Sequence, residues 1–211
     1  MKEMPLAVQS ENFPSRVAGV QPEPWEEASK EPNSKVLFIT CSDLPVTPHL
    51  LLRCGPGEVF MLQNAGNLVP PYQAGFSGEA ATIEYCMRVL NVQHIIVCGH
   101  SHCGVLACLM NPKDMEQLPA LKNWLSQAHA TRTFIQKEFN QLKGESLVAK
   151  AIGENVRVQL QNLRTHPTVV ERISLGQVKL HGWIYHNESG DLWFYDFESQ
   201  RFLPLANFPS P

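Results

Sequence analysis

Long apolar runs are missing from these 211 residues. No stretch approaches the roughly 20 residues of a membrane span, so no membrane partner is expected. The first residues lack the charged start and apolar stretch of a secretory signal, and a cytoplasmic location is expected. Charge is scarce as well. The net charge of −3 gives no reason to expect nucleic acid or an anionic lipid surface as partner. Internal repeats are absent, which argues against a solenoid or propeller. What is present is a hydrophobic content of 44%, enough for one soluble globular domain with a sizeable core. Six cysteines in a reducing compartment are expected to bind metal or sit in the core rather than pair as disulfides.

Residues 1–33 carry little pattern. Pro5, Pro14, Pro22, Pro24 and Pro32 break the segment and four glutamates make its later half acidic, so it reads as an extended arm. An arm that packs on a partner subunit is the sharper alternative. Residues 34–203 alternate strand and helix signals, and residues 204–211 read as an irregular tail. Val36 to Thr40, Val59 to Gln63 and His94 to Cys98 are short apolar runs bounded by turn residues, the pattern of buried strands. Ser77 is placed to cap a helix running to Leu90. Leu118 to Leu142 keeps a helical spacing, and Ser146 is placed to cap another long helix through Leu163. Val178 to Tyr185 and Leu192 to Tyr195 read as strands joined by the turn Asn187-Glu188-Ser189-Gly190. The order predicts an α/β fold, a mostly parallel sheet with an antiparallel hairpin at one edge, flanked by helices.

Chemistry concentrates at two strand ends. The first strand releases Cys41-Ser42-Asp43, and the third releases Gly99-His100-Ser101-His102-Cys103-Gly104. Open α/β sheets bind ligands at the carboxyl edge of their strands. Cys41, His100 and Cys103 would supply three soft donors for zinc and leave one position over. Cys54, Cys86, Cys98 and Cys108 read as core thiols, His102 as a solvent-facing loop residue, and Glu154 and Glu171 as solvated helix faces.

These residues, together with Asn64-Ala65-Gly66-Asn67-Leu68-Val69-Pro70-Pro71 between them, resemble the β-class carbonic anhydrases from about Ser34 to about Phe197. The stretches Leu121 to Leu125 and Leu180 to Tyr185 look most like the cyanobacterial carboxysomal branch. The resemblance implies a single-domain β-carbonic-anhydrase fold and a Zn2+ cofactor on Cys41, His100 and Cys103. It makes Asp43 the catalytic aspartate, which either closes the metal site as fourth ligand or swings away. It also places Gly104, Phe60 and Tyr85 along the substrate pocket. The implied reaction is reversible hydration of CO2 to bicarbonate, in a homodimer or higher homo-oligomer with its site at the dimer interface.

The sequence departs from that pattern at three places. The family reads Cys-Ser-Asp-Ser-Arg where this chain has Cys41-Ser42-Asp43-Leu44-Pro45, so the arginine paired with the aspartate is Pro45. A bicarbonate-binding glutamine is Pro32, and a further arginine is Gln63. Activity is therefore expected to be weak or silent. Two alternatives stand beside that expectation: a structural partner of other carboxysome proteins, and a hydrolase of carbonyl sulfide or carbon disulfide.

Overall fold

The computed structural model describes residues 35–55, 57–73 and 77–205. The expected arm over 1–33, Pro32 with it, and residues 206–211 of the expected tail lie outside the described residues. Among those residues the chain builds strands β1 (Val36–Cys41), β2 (Val59–Asn64), β3 (His94–His100), β4 (Lys179–Tyr185), β5 (Leu192–Asp196) and β6 (Arg201–Pro204). The helices are α1 (Pro48–Leu52), α2 (Gly78–Arg88), α3 (Gly104–Met110), α4 (Pro119–Leu125), α5 (His129–Glu138), α6 (Gly144–Leu163) and α7 (Pro167–Ser174). The strands form one sheet in the order β2-β1-β3-β4-β5-β6. The first four are mutually parallel, and β5 and β6 add antiparallel at one edge.

The central strands carry apolar side chains on both faces because helices or loops cover both. Leu37, Ile39, Ile95 and Val97 join the larger core under α2, α3 and α6. Phe38, Val59, Ile96 and Cys98 form a second cluster on the opposite face. The fully buried Cys98 thiol is pushed up to about 12 by burial, the behaviour of a core thiol. Helix α6 crosses β3 and β4 at glycines. A Cβ on Gly99 would lie 3.0 Å from Ile152 Cγ2, and one on Gly182 would lie 2.8 Å from Leu160 Cδ1. Only glycine lets this helix sit so close to the sheet.

Four local expectations need correction. Leu118 to Leu142 is two helices, α4 and α5, separated by a 3-10 turn at Ser126–Ala128. The Ser126 hydroxyl bonds back to the Asn123 carbonyl at 2.6 Å, a local bond that competes with the helix at the break. Helix α6 starts at Gly144 after Lys143, so Ser146 lies inside its first turn. Glu154 is not a solvated face. It is 9% exposed, and both its oxygens take hydrogen bonds from Arg157, whose charge makes its burial tolerable. Glu171 does lie at the surface, paired with Arg88 at 2.7 Å. The chain end also differs, since Pro204, expected in the irregular tail, belongs to β6. A proline ending the edge strand removes no ladder bond from the sheet interior.

Parallel pairing of β3 with β4 brings His94 Nδ1 to 3.1 Å from His181 Nε2. Burial, then the charge of its neighbours His94 and Lys179, lowers His181 to about 4, and burial lowers His94 too. A folded pKa below the unfolded value near 6.5 means that the unfolded chain binds more protons below that pH. Stability is then full above pH 6.5 and is lost as pH falls toward 4. His181 alone is expected to cost about 2 kcal/mol between pH 7.5 and pH 5.0. Urea unfolding at those two pH values checks this: His181→Gln should lose distinctly less stability on acidification than the parent.

Candidate metal centre

Strand β1 ends at Cys41, and its register sets Cys41 beside Asn64, the last residue of β2. The chain turns sharply on both sides of that pair. Ser42 N–H donates to Asn64 O at 3.0 Å, and Asn67, in the left-handed region at φ 47°, donates its N–H to the same oxygen at 3.3 Å. Gly66, at φ 83°, aims its N–H at Cys41 Sγ, 3.0 Å away. Strand β3 ends at His100, one strand over, and the loop Ser101-His102 carries the chain to Cys103 and into α3. Four donors thus meet at the carboxyl edge of the sheet. One ligand atom each from Cys41, Asp43, His100 and Cys103 lies within 4.8 Å of all the others.

The two sulfurs are 3.7 Å apart. Two thiolates each about 2.3 Å from one tetrahedral zinc would sit about 3.8 Å apart, so the pair fits that ion. His100 Nδ1 faces Ser101 O at 3.0 Å, which keeps the proton on Nδ1 and turns Nε2 inward. Asp43 reaches the same point. Its Oδ1 is 2.8 Å from His100 Nε2 and 3.6 Å from Cys103 Sγ, while Oδ2 accepts the Gly104 N–H at 2.9 Å. Two sulfurs, an imidazole and a carboxylate form a donor set suited to zinc.

The electrostatics match a cluster that wants a cation. The hydrogen bond with Cys103 holds Cys41 at about 6 against the opposing effect of burial. The same bond, with burial, drives the Cys103 thiol upward, so the pair shares one proton and the negative charge rests on Cys41. Burial works to raise Asp43, but its side-chain contacts with Cys41 and His100, the His100 charge and the Gly104 amide outweigh it and lower the carboxyl. Burial works to lower His100, yet hydrogen bonds to Cys41 and Asp43 and the Asp43 charge raise it. An imidazole nitrogen facing a carboxylate needs a proton between them, and a metal ion can take that proton's place.

The structure thus brings together Cys41, Asp43, His100 and Cys103, with Gly104 against Asp43. It does not bring Phe60 or Tyr85 there within this chain. Phe60 stands four positions before Asn64 on β2, about 13 Å back along the strand. Tyr85 is 55% exposed on α2, in a groove with Tyr72 and Arg88. His102 is exposed at the loop tip, with its ring against Glu188.

Sequence reading missed the polar groups that hold the metal-side loops. Gln63 Nε2 donates to Cys41 O at 3.1 Å. Asn155 Nδ2 donates to Gly66 O at 2.9 Å, and Trp124 Nε1 donates to Ala65 O at 2.7 Å. Gln159 Oε1 accepts Val69 N–H at 2.9 Å. The signal was there in Asn155 and Gln159, two amides one turn apart on the apolar stripe of a helix, where buried polar groups need partners.

Comparison with known proteins agrees with this geometry. Residues 36–192 match the protein family described as carbonic anhydrase. A carbonic anhydrase of Synechococcus elongatus is 41% identical over 169 residues, covering 80% of this chain and 62% of that protein. One from Pseudomonas aeruginosa is 43% identical over 175 residues, covering 83% of this chain and 79% of its own. The solved structure of the beta-carbonic anhydrase CcaA superposes with a TM-score of 0.89 at 36% identity, covering 94% of this chain and 97% of that one. The chain spans about three fifths of the length of the cyanobacterial relatives.

Proposed function

We propose, because the chain belongs to the β-class carbonic anhydrase family, that it holds one zinc ion on Cys41, His100 and Cys103, with Asp43 as fourth ligand, and hydrates carbon dioxide weakly or not at all. Zinc, when bound in such a site, acidifies a water in any open position and polarises a substrate oxygen. The chain's own groups decide whether that position opens. The observation that carries the reading is the hold on Asp43: its carboxylate lies among the donors, with Gly104 N–H on one oxygen and His100 on the other. Among the described residues no arginine or lysine pairs with it. Pro45, at the position of the family's arginine, is exposed and offers no charge. Arg53, which could have replaced the lost guanidinium, makes no ion pair among the described residues.

Nothing then draws the carboxylate outward, and a dication is the strongest attraction within its reach. The amide of Gly104 steadies it in the inward position. Phe60 and Tyr85 would wall the pocket from a second copy of the chain, and the exposure of Tyr85 supports such an interface. A second reading, an assembly partner in a carboxysome, is supported by the likeness of residues 121–125 and 180–185 to the carboxysomal branch. It shares the closed site.

Stopped-flow hydration by the zinc-loaded protein at pH 7 and pH 9 tests the proposal. Rates near the uncatalysed reaction, or low at both pH values, are expected. Ordinary family-level turnover at both would end it.

A further inference from the structure

The peptide between Ala65 and Gly66 has hydrogen bonds at both ends. Its N–H, from Gly66, points at Cys41 Sγ at 3.0 Å. Its C=O, from Ala65, accepts the indole N–H of Trp124 at 2.7 Å. The three groups form one chain: indole N–H to carbonyl, through the amide, to sulfur. Drawing electron density toward the carbonyl makes the amide a stronger donor, and such bonds reinforce one another away from water. The sulfur end is dry, since Cys41 is fully buried.

The next peptide plane is clamped as well. Gly66 O accepts Asn155 Nδ2 at 2.9 Å, while Asn155 Oδ1 accepts Gln159 Nε2 at 2.8 Å. Asn155 is 1% exposed, so its amide has no water to turn to. Gly66 cannot be exchanged for a residue that packs more firmly. Its φ is 83°, and a Cβ there would lie 3.2 Å from Val105 Cγ1. The direction of the Gly66 N–H is therefore set from outside, by Trp124 on one side and Asn155 on the other.

We infer that Trp124 and Asn155 are positioning residues for the metal centre, which aim and strengthen the Gly66 N–H on the Cys41 thiolate and so reduce the electron density that sulfur gives to a bound metal. The inference rests on the zinc reading above. Hydrogen bonds to a ligating thiolate lower its donor strength and leave the metal a better electrophile. In a site with two thiolates this bears on how tightly Asp43 is drawn in, and it is a property of Cys41 alone, because the bond does not reach Cys103.

The test uses the full chain loaded with Co2+, whose thiolate-to-metal charge-transfer band reports sulfur donor strength. Trp124→Phe keeps the ring and removes the N–H. Its band should move to lower energy, because a less restrained thiolate gives up its electron more readily. Zinc affinity, measured by competition with a chromophoric chelator, should change by about 10-fold to 100-fold, the usual weight of an outer partner of a metal ligand. Thr165→Val is the control. Thr165 holds the same loop further along, its Oγ1 accepting the Tyr72 N–H at 2.7 Å, away from the bonds that reach Gly66 and Cys41. An unmoved band in Trp124→Phe, or an equal shift in Thr165→Val, would overturn the inference.

A second measurement on the parent protein needs no variant to fold. Loaded with 113Cd, it should show scalar coupling between the metal and the Gly66 amide proton through Cys41 Sγ. No coupling would overturn the assigned hydrogen bond. Failure of Co2+ and Cd2+ to bind at all would instead overturn the zinc reading, and with it the role given to Trp124.

Discussion

A chain carrying both Pro45→Arg and Pro32→Gln is expected to hydrate carbon dioxide far faster than the parent. A guanidinium about 4 Å from the Asp43 carboxylate would attract it by about 4 kcal/mol at an effective dielectric near 20. The Asp43 side chain is 39% exposed, so solvent and salt take a share of that attraction. If about 1.4–2.8 kcal/mol survives, the open arrangement gains about 10-fold to 100-fold in population, and the rate rises with it. Position 45 is exposed, so the longer side chain meets no core. The glutamine restores the bicarbonate-bonding group that the resemblance implies at position 32. Stopped-flow assays of parent, single and double variants at one zinc loading check this. The gain should fall in high salt, as an exposed ion pair requires. A decrease in activity would mean that the pocket is rebuilt for another substrate.

Cys41→Ser is expected to abolish zinc retention. A serine hydroxyl is not a thiolate at neutral pH, and the three donors left include an aspartate and a histidine already hydrogen-bonded to each other at 2.8 Å. Metal analysis after dialysis against a chelator should find zinc in the parent and almost none in the variant. The stability effect should depend on the metal. At a free zinc concentration a thousandfold above Kd, binding stabilises the parent by about 4 kcal/mol. For a chain of this length that is a Tm difference of about 10 °C. With zinc stripped from both, the difference should shrink to a small remainder, because the Gly66 N–H can donate to a serine oxygen as it does to sulfur. A Tm gap that persists without zinc would show that Cys41 serves the core rather than a metal.

The parts of the fold that were legible in the sequence are those written in neighbouring residues. The apolar runs of β1, β2 and β3 appear as strands within two residues of their expected ends. Ser77 caps α2 as expected, its hydroxyl accepting Ala80 N–H at 3.3 Å. The hairpin turn at 187–190 joins β4 to β5. Helical and strand periods are local properties, and so are caps and turns. The donor set was legible for a related reason. Cys41 and Asp43, like His100 and Cys103, are two or three residues apart, and each pair rides on one strand end.

The rest depends on contacts between distant residues. Glu154 was read as solvated because its helix position alone does not reveal which faces of α6 the rest of the fold covers. The break between α4 and α5 leaves no mark in the apolar spacing, because Leu125, Ala128 and Ile135 would share one face of a continuous helix as well. The His94–His181 contact exists because β3 and β4 pair although these residues are 87 positions apart.

By itself, then, the sequence determined most of the elements, that their strands lie mostly parallel, and which four residues form a donor set that could hold a metal. Tertiary structure alone decided where Asp43 rests and which buried amides and indole hold the loop behind Cys41. The physical reason is range. Backbone preferences and hydrophobic periods act within a few residues, whereas the bonds from Trp124 to Ala65 and from Asn155 to Gly66 form only once α4 and α6 stand beside the loop that follows β2.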